Sequence, residues 1–205
     1  MVTKQAGPEP LPRGRHGLSR AEVVASQRGR IFRAMAETMA QKGYAATSVA
    51  DVLRAAKVSR ETFYEQFDSK EDCFMSALEA AVDAVLKAAF DAPPADGTPL
   101  ERFDHGLRTY LDALAAQPAL SRLFLIEVYA AGPAALERRA AVQQRFADAL
   151  GRTFGRRTAG DRFANEALVA ATSSLVTARL AAGDLKGLRN LRRPLVGLAR
   201  RLHGG

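Results

Sequence analysis

Residues 47–67 read TSVADVLRAAKVSRETFYEQF, and this stretch decides the fold. Thr47 and Ser48 offer hydroxyls that cap a helix carrying Val49, Val52 and Leu53. After Ala55-Ala56-Lys57, Ser59 offers a second cap for a helix carrying Phe63 and Phe67. Two short helices joined by a turn of a few residues, behind a longer helix, describe a helix-turn-helix. In that motif the second helix of the pair must be short, apolar inside and polar outside, so that it enters a DNA major groove. Val49, Leu53, Val58, Phe63 and Phe67 are spaced to pack inward, leaving Arg60, Glu61, Thr62 and Gln66 outward to face base edges.

Working outward, Ser19 and Glu22 form a capping-box pair ahead of a long helix with Ile31, Ala34, Met35, Thr38 and Met39 on one face. Gly43 ends it. On the other side Ser69 and Asp72 start a fourth helix through Phe74, Leu78, Val82, Val85 and Leu86, until DAPPADG at 91–97 breaks it. That break is the strongest compositional candidate for a domain boundary. Thr98-Pro99-Leu100-Glu101 then restarts a helix, and the pattern predicts further helices at about 99–116, 119–130, 133–153, 162–182 and 190–203. No window alternates with period two, so the expected fold is all-α throughout.

The 205 residues allow one long domain or two short ones, and 47% hydrophobic against 25% charged residues suits a folded chain. A single cysteine, Cys73, leaves no internal disulfide or cysteine-based zinc site, and is read as a small buried hydrophobe. No apolar run approaches a membrane span, and the Pro/Gly/Arg-rich start lacks the apolar stretch of a secretion signal, so a cytoplasmic protein with no membrane partner is expected. His16, His105 and His203 are far apart, and there is no nucleophile elbow, phosphate-binding loop or dinucleotide fingerprint. The expectation is therefore no catalysis, no metal and no cofactor. The net charge of +8 favours polyanionic partners. It is uneven: residues 1–75 carry +3, residues 76–155 carry −2, and residues 156–205 carry +7.

The stretch from Arg30 to Phe74 resembles the TetR family of bacterial transcriptional regulators. The matching residues are Ile31, Gly43-Tyr44, Thr47-Ser48-Val49, Val58-Ser59, Thr62-Phe63-Tyr64, Phe67 and Ser69-Lys70-Glu71. The combination TFY-x-x-F-x-SKE is more specific than a generic helix-turn-helix; Lys57 departs from it, standing where the family usually has glycine. The resemblance implies a flexible basic tail at 1–18, a three-helix DNA-binding domain at 19–75, and a fourth helix leading into an effector-binding and dimerisation domain at 76–205. It implies phosphate contacts from Thr47, Ser48, Ser59, Tyr64 and Lys70 and base reading by Arg60, Glu61 and Thr62 on a double-stranded operator. Arg13, Arg15 and Arg20 would be minor-groove candidates.

The resemblance further implies a homodimeric repressor that reads a palindrome and is released by a small-molecule effector. An activator, a ligand-independent regulator, or a small-molecule-binding protein with a vestigial helix-turn-helix are the rival readings. Leu191, Leu195, Leu198 and Leu202 recur, with Leu188 before them, at coiled-coil spacing, and Leu168, Ala171 and Leu175 share a face of the preceding helix; these residues other than Leu188, seven in all, are the expected dimer seam. Phe103, Leu107, Tyr110, Leu111, Phe124, Val128 and Phe146 are the expected apolar lining of an effector pocket, with Leu114 and Tyr129 beside them and Arg108 or Glu127 as polar contacts. The aromatic content points to an apolar or aromatic effector.

Overall fold

The computed structural model describes residues 19–90, 97–154 and 158–204. The tail with Arg13 and Arg15, most of the 91–97 break, and Arg156 and Arg157 lie outside the described residues. The chain divides into two compact units, Met1–Phe74 and Met75–Gly205. Every element of the described residues is helical.

The first unit contains α1 (Arg20–Lys42), α2 (Val49–Ala56), α3 (Arg60–Tyr64) and the start of α4 (Lys70–Phe90). The capping residues form as their chemistry dictates. Ser19 and Glu22, and Ser48 and Asp51, each close a reciprocal capping box, while Ser59 accepts from the Thr62 amide and Ser69 from that of Asp72. Helices of eight and five residues are too short to persist alone. Burial holds them: Ile31, Met35, Met39, Val52, Phe63 and Phe74 are fully buried and Phe67 nearly so. Each such side chain contributes roughly 1.5–3 kcal/mol. Val49, Leu53 and Val58 are only half-buried, and Val52 and Ala56 take the inward positions instead, since those two fall on the side of α2 that faces the core.

Cys73 is fully buried and its thiol is pushed up to about 12, first by burial and then by the nearby Asp72 charge. It is a core residue. Lys57 ends α2 in the left-handed conformation, at φ 54° and ψ 49°, with an exposed side chain. That backbone costs a lysine roughly 1–2 kcal/mol, part of which glycine returns through its freer unfolded chain. Lys57→Gly is expected to stabilise the protein by about 0.5–1 kcal/mol, read as a higher midpoint in urea denaturation at unchanged slope.

The second unit contains the remainder of α4, then α5 (Pro99–Ala116), α6 (Pro118–Leu125), a 3-10 helix (Glu127–Ala131), α7 (Pro133–Phe154), α8 (Ala159–Ala181), α9 (Leu185–Asn190) and α10 (Arg192–His203). Three boundaries differ from expectation. The helix expected at 119–130 breaks at Ile126, and the following turn tucks Val128 fully into the core. Thr158 and Asp161 form a capping box, so α8 starts at Ala159 rather than 162. Residues read as a loop before 190 form α9, capped by Asp184 accepting from the Gly187 amide at 2.7 Å.

The leucine seam is a correction. Leu168, Leu191 and Leu195 are at most 5% exposed and share one core with Leu188, Phe103, Leu107 and Leu111; Leu198 and Leu202 pack against the same core. A side chain already buried within its own chain offers a partner almost no area. The spacing marked an apolar stripe correctly, but α5 covers it. Of the seven seam residues, Leu175 remains 41% exposed and Ala171 half-buried.

A forked ion pair joins α5 to α10: Arg192 donates through Nε and Nη2 to the two carboxylate oxygens of Asp104, at 2.6 and 2.5 Å. These bonds hold the Asp104 carboxyl below its ordinary value. A carboxylate depressed in the folded state contributes stability above its unfolded value, about 4, and loses it as pH falls through the lower folded value. Asp104→Asn is therefore expected to cost about 1 kcal/mol at neutral pH, given partial exposure of both groups. The gap from the unsubstituted protein should close as thermal melts are repeated below pH 4.

Candidate nucleic-acid interface

The outer face of α3 begins at its cap. Ser59 Oγ accepts the Thr62 amide at 3.0 Å and lies 2.9 Å from Thr62 Oγ1, so the Thr62 hydroxyl is held locally and its methyl group is what remains to present. Arg60, Glu61 and Tyr64 are exposed. The Arg60 guanidinium lies over the Tyr64 ring, 5.4 Å from its centroid, which restricts the arginine before any ligand arrives. Neither Arg60 nor Glu61 has an ion-pair partner among the described residues, leaving a five-donor fork and a free carboxylate on a helix surface. Tyr64 packs its ring edge-on against buried Phe63 at 5.3 Å and turns the rest outward.

The expected phosphate-contacting residues divide. Ser48 is exposed at the start of α2, where the first-turn amides lack partners within the helix, the usual setting for a bound anion. Asp51 beside it is held fully ionised, first by its bonds to Ser48, and is countered by Lys42 at 3.0 Å and Arg54 at 3.3 Å.

Thr47 is a correction: it is 2% exposed and its hydroxyl donates to the Gly43 carbonyl at 2.8 Å, so it braces the loop. Lys70 is another. Its Nζ donates to the Tyr44 and Thr47 carbonyls, both at 3.0 Å, and sits 4.3 Å from the Tyr44 ring centroid. Two of its three donors hold the α1–α2 connection in place rather than standing free. Gln66 also turns inward, donating to Gln27 of α1 at 3.5 Å. Thr47 and Lys70 share a cause, backbone carbonyls of the α1–α2 connection within reach of a polar group, whereas Gln66 meets a side chain that packing of α1 brings to it.

The second unit holds a cavity of about 340 Å³, within the range of small-molecule sites. Of the expected lining, Phe103, Leu107, Tyr110, Leu114, Phe124 and Phe146 are present. Leu111 and Val128 are instead buried in the core, and Glu127, Tyr129 and Arg108 do not line the cavity. Sequence reasoning missed the walls given by Leu78, Val82 and Val85 of α4, by Arg139, Val142 and Gln143 of α7, and by Leu168, Val169, Thr172 and Ser173 of α8. Only packing brings those helices around one space. Among the described residues no helix is long and apolar enough to cross a membrane, and no cluster of side chains is suited to a metal ion.

The family model for bacterial regulatory proteins of the tetR family matches residues 31–77, from the middle of α1 into α4. The HTH-type transcriptional regulator RutR of Escherichia coli strain K12 is 29% identical over 114 residues, 56% of this chain and 53% of that protein. EthR of Mycolicibacterium smegmatis is 30% identical over 115 residues, 54% of this chain and 51% of the relative. The chain thus spans about half the length of the curated relatives it matches. In fold it is similar to the transcriptional regulator FadR from Bacillus subtilis in complex with stearoyl-CoA, with a TM-score of 0.73 over 86% of this chain and 97% of that one at 18% identity. Salmonella enterica GusR gives 0.72 over 93% and 100% at 19% identity. The residues of the α1–α4 module, its three-dimensional arrangement and these likenesses agree: residues 31–77 carry the N-terminal module of the tetR family of bacterial regulatory proteins, in a chain whose fold is similar to that of those regulators.

Proposed function

We propose that the protein is a DNA-binding transcriptional regulator, acting as a homodimeric repressor on a palindromic operator and released by a small-molecule effector. The exposed face of α3 carries the proposal: a short helix whose inner residue, Phe63, is fully buried while Arg60, Glu61 and Tyr64 stand outward. A helix of that kind enters a major groove, where Arg60 bonds guanine O6 and N7, Glu61 accepts from a cytosine amine, and Thr62 touches a thymine methyl. Ser48, Ser59 and Tyr64 hold phosphates around it. Lys70 and Thr47 act mainly by fixing the loop that aims α2.

A two-fold dimer supplies two reading heads about one DNA turn (~34 Å) apart or a multiple of it. The exposed apolar side chains Phe163 and Leu175 of α8 support a partner surface there, displaced from the seam now accounted for inside the chain. The cavity in the second unit supports effector binding, as does the ligand complex of the fold neighbour. The reading assigns no catalytic step. Selection of bound sequences from random DNA tests it: a palindromic consensus protected on both half-sites is the expected result. Salt-sensitive binding with no consensus would instead favour a vestigial helix-turn-helix.

A further inference from the structure

The cavity of the second unit is apolar over most of its wall, and its polar groups are not equivalent. Two are spent on their own surroundings: Ser121 Oγ donates to the Leu114 carbonyl at 3.0 Å and Thr172 Oγ1 to the Leu168 carbonyl at 2.8 Å. Three others converge. Arg139 Nη2 and Gln143 Nε2 both donate to Ser173 Oγ, at 3.1 and 3.3 Å, which sets donors from α7 around one oxygen of α8. Arg139 Nε is buried with no hydrogen-bond partner, and Arg139 has no carboxylate partner among the described residues. Its neighbour Arg138, one position earlier on α7, pairs with Glu79 at 2.9 Å. The Arg139 guanidinium instead lies over the Tyr129 ring, 5.0 Å from the centroid, and its charge is felt at cavity-lining Tyr110, whose phenol is pushed up to about 12 by burial.

A guanidinium set into an apolar wall without an anion is a costly arrangement, since its charge is partly desolvated and unmatched. A carboxylate entering the cavity repays that cost with charge-assisted hydrogen bonds. A single guanidinium matches a monoanion; a phosphate dianion would bring an unmatched charge into the same apolar surroundings. We propose that the cavity takes an amphiphilic monocarboxylic acid, its carboxylate held by Arg139 with Gln143 beside it and its apolar body along Phe103, Leu107 and Phe146. The assignment deepens the effector reading above by naming the ligand class of the same cavity, yet it stands on binding to the free protein and needs no DNA.

The test is calorimetric titration of the full chain with octanoate, decanoate and laurate, against decanol, decylamine and decanoyl-CoA. The best acid is expected to bind at least tenfold tighter than the alcohol or the amine. Arg139→Gln is expected to lower its affinity about tenfold or more while leaving decanol unchanged, the loss expected for a charge-assisted bond. Arg138→Gln serves as the control for a neighbouring charge and is expected to leave the acid's affinity unaltered. Circular dichroism melts of both variants confirm that they fold. Equal affinity for acid and alcohol, no effect of Arg139→Gln in a folded variant, or binding of the thioester alone would overturn the proposal. A failed titration beside an intact operator consensus would reject the ligand class alone; a lost consensus beside normal titration would reject the regulator reading alone.

Discussion

Replacing Phe63 with alanine is expected to remove about 3–5 kcal/mol from the first unit, most of the stability a small domain has. The ring is fully buried, lies 5.4 Å from Phe67 and 5.3 Å from Tyr64, and belongs to a helix of only five residues. Such a helix has no stability of its own to lose gradually, so α3 should unfold along with its packing. The expected readout is a drop in helical ellipticity with loss of operator binding at physiological temperature. Val24→Ala, at a position 39% exposed on α1, should change the melting midpoint little and keep binding. A Phe63→Ala protein that melted with the parent would show that the three-helix packing described above does not hold α3.

Arg60→Ala carries the second large effect. It should leave the fold intact, because the side chain is exposed and its one described contact is stacking on Tyr64. Operator affinity should fall by about 1–3 kcal/mol, about five- to 150-fold, with the sequence requirement relaxed at one base pair per half-site. Tyr64→Phe should instead weaken binding uniformly, by about 1 kcal/mol, since losing a phosphate contact carries no base information. Gel-shift titrations against the selected operator and its single-base variants separate the two patterns. If both variants lost affinity equally on every sequence, Arg60 would be a phosphate contact and base reading would belong to Glu61 or Thr62. Lys70→Ala should behave differently again, lowering stability as well as affinity, because its donors hold the Tyr44 and Thr47 carbonyls.

Net charge is a poor guide to the proposed DNA-reading face. Residues 156–205 hold +7 of the net +8, yet the exposed α3 face lies in the part that carries +3. Arg192 shows where part of that excess goes: it is bonded to Asp104 within the chain. A formal count registers every arginine alike, whereas structure separates those matched by a carboxylate from those left to meet a ligand.

The sequence by itself determined the helical elements of the first unit and the fold class. The reason is that caps and short-range periodicity act within a turn or two: Ser19 with Glu22, Ser48 with Asp51 and Ser59 with Thr62 form the local bonds their spacing implies. The exposure of Arg60 and Glu61 on α3 followed from the same periodicity. Tertiary structure alone decided what each remaining polar or apolar group meets. Lys70 turned to the Tyr44 and Thr47 carbonyls, 26 and 23 positions away in the chain, the leucine stripe of α10 closed on α5 inside one chain, and Arg139 came to a cavity walled by five helices. Periodicity states which face of a helix is apolar or charged, but the partner of that face is set by packing between elements far apart in the chain.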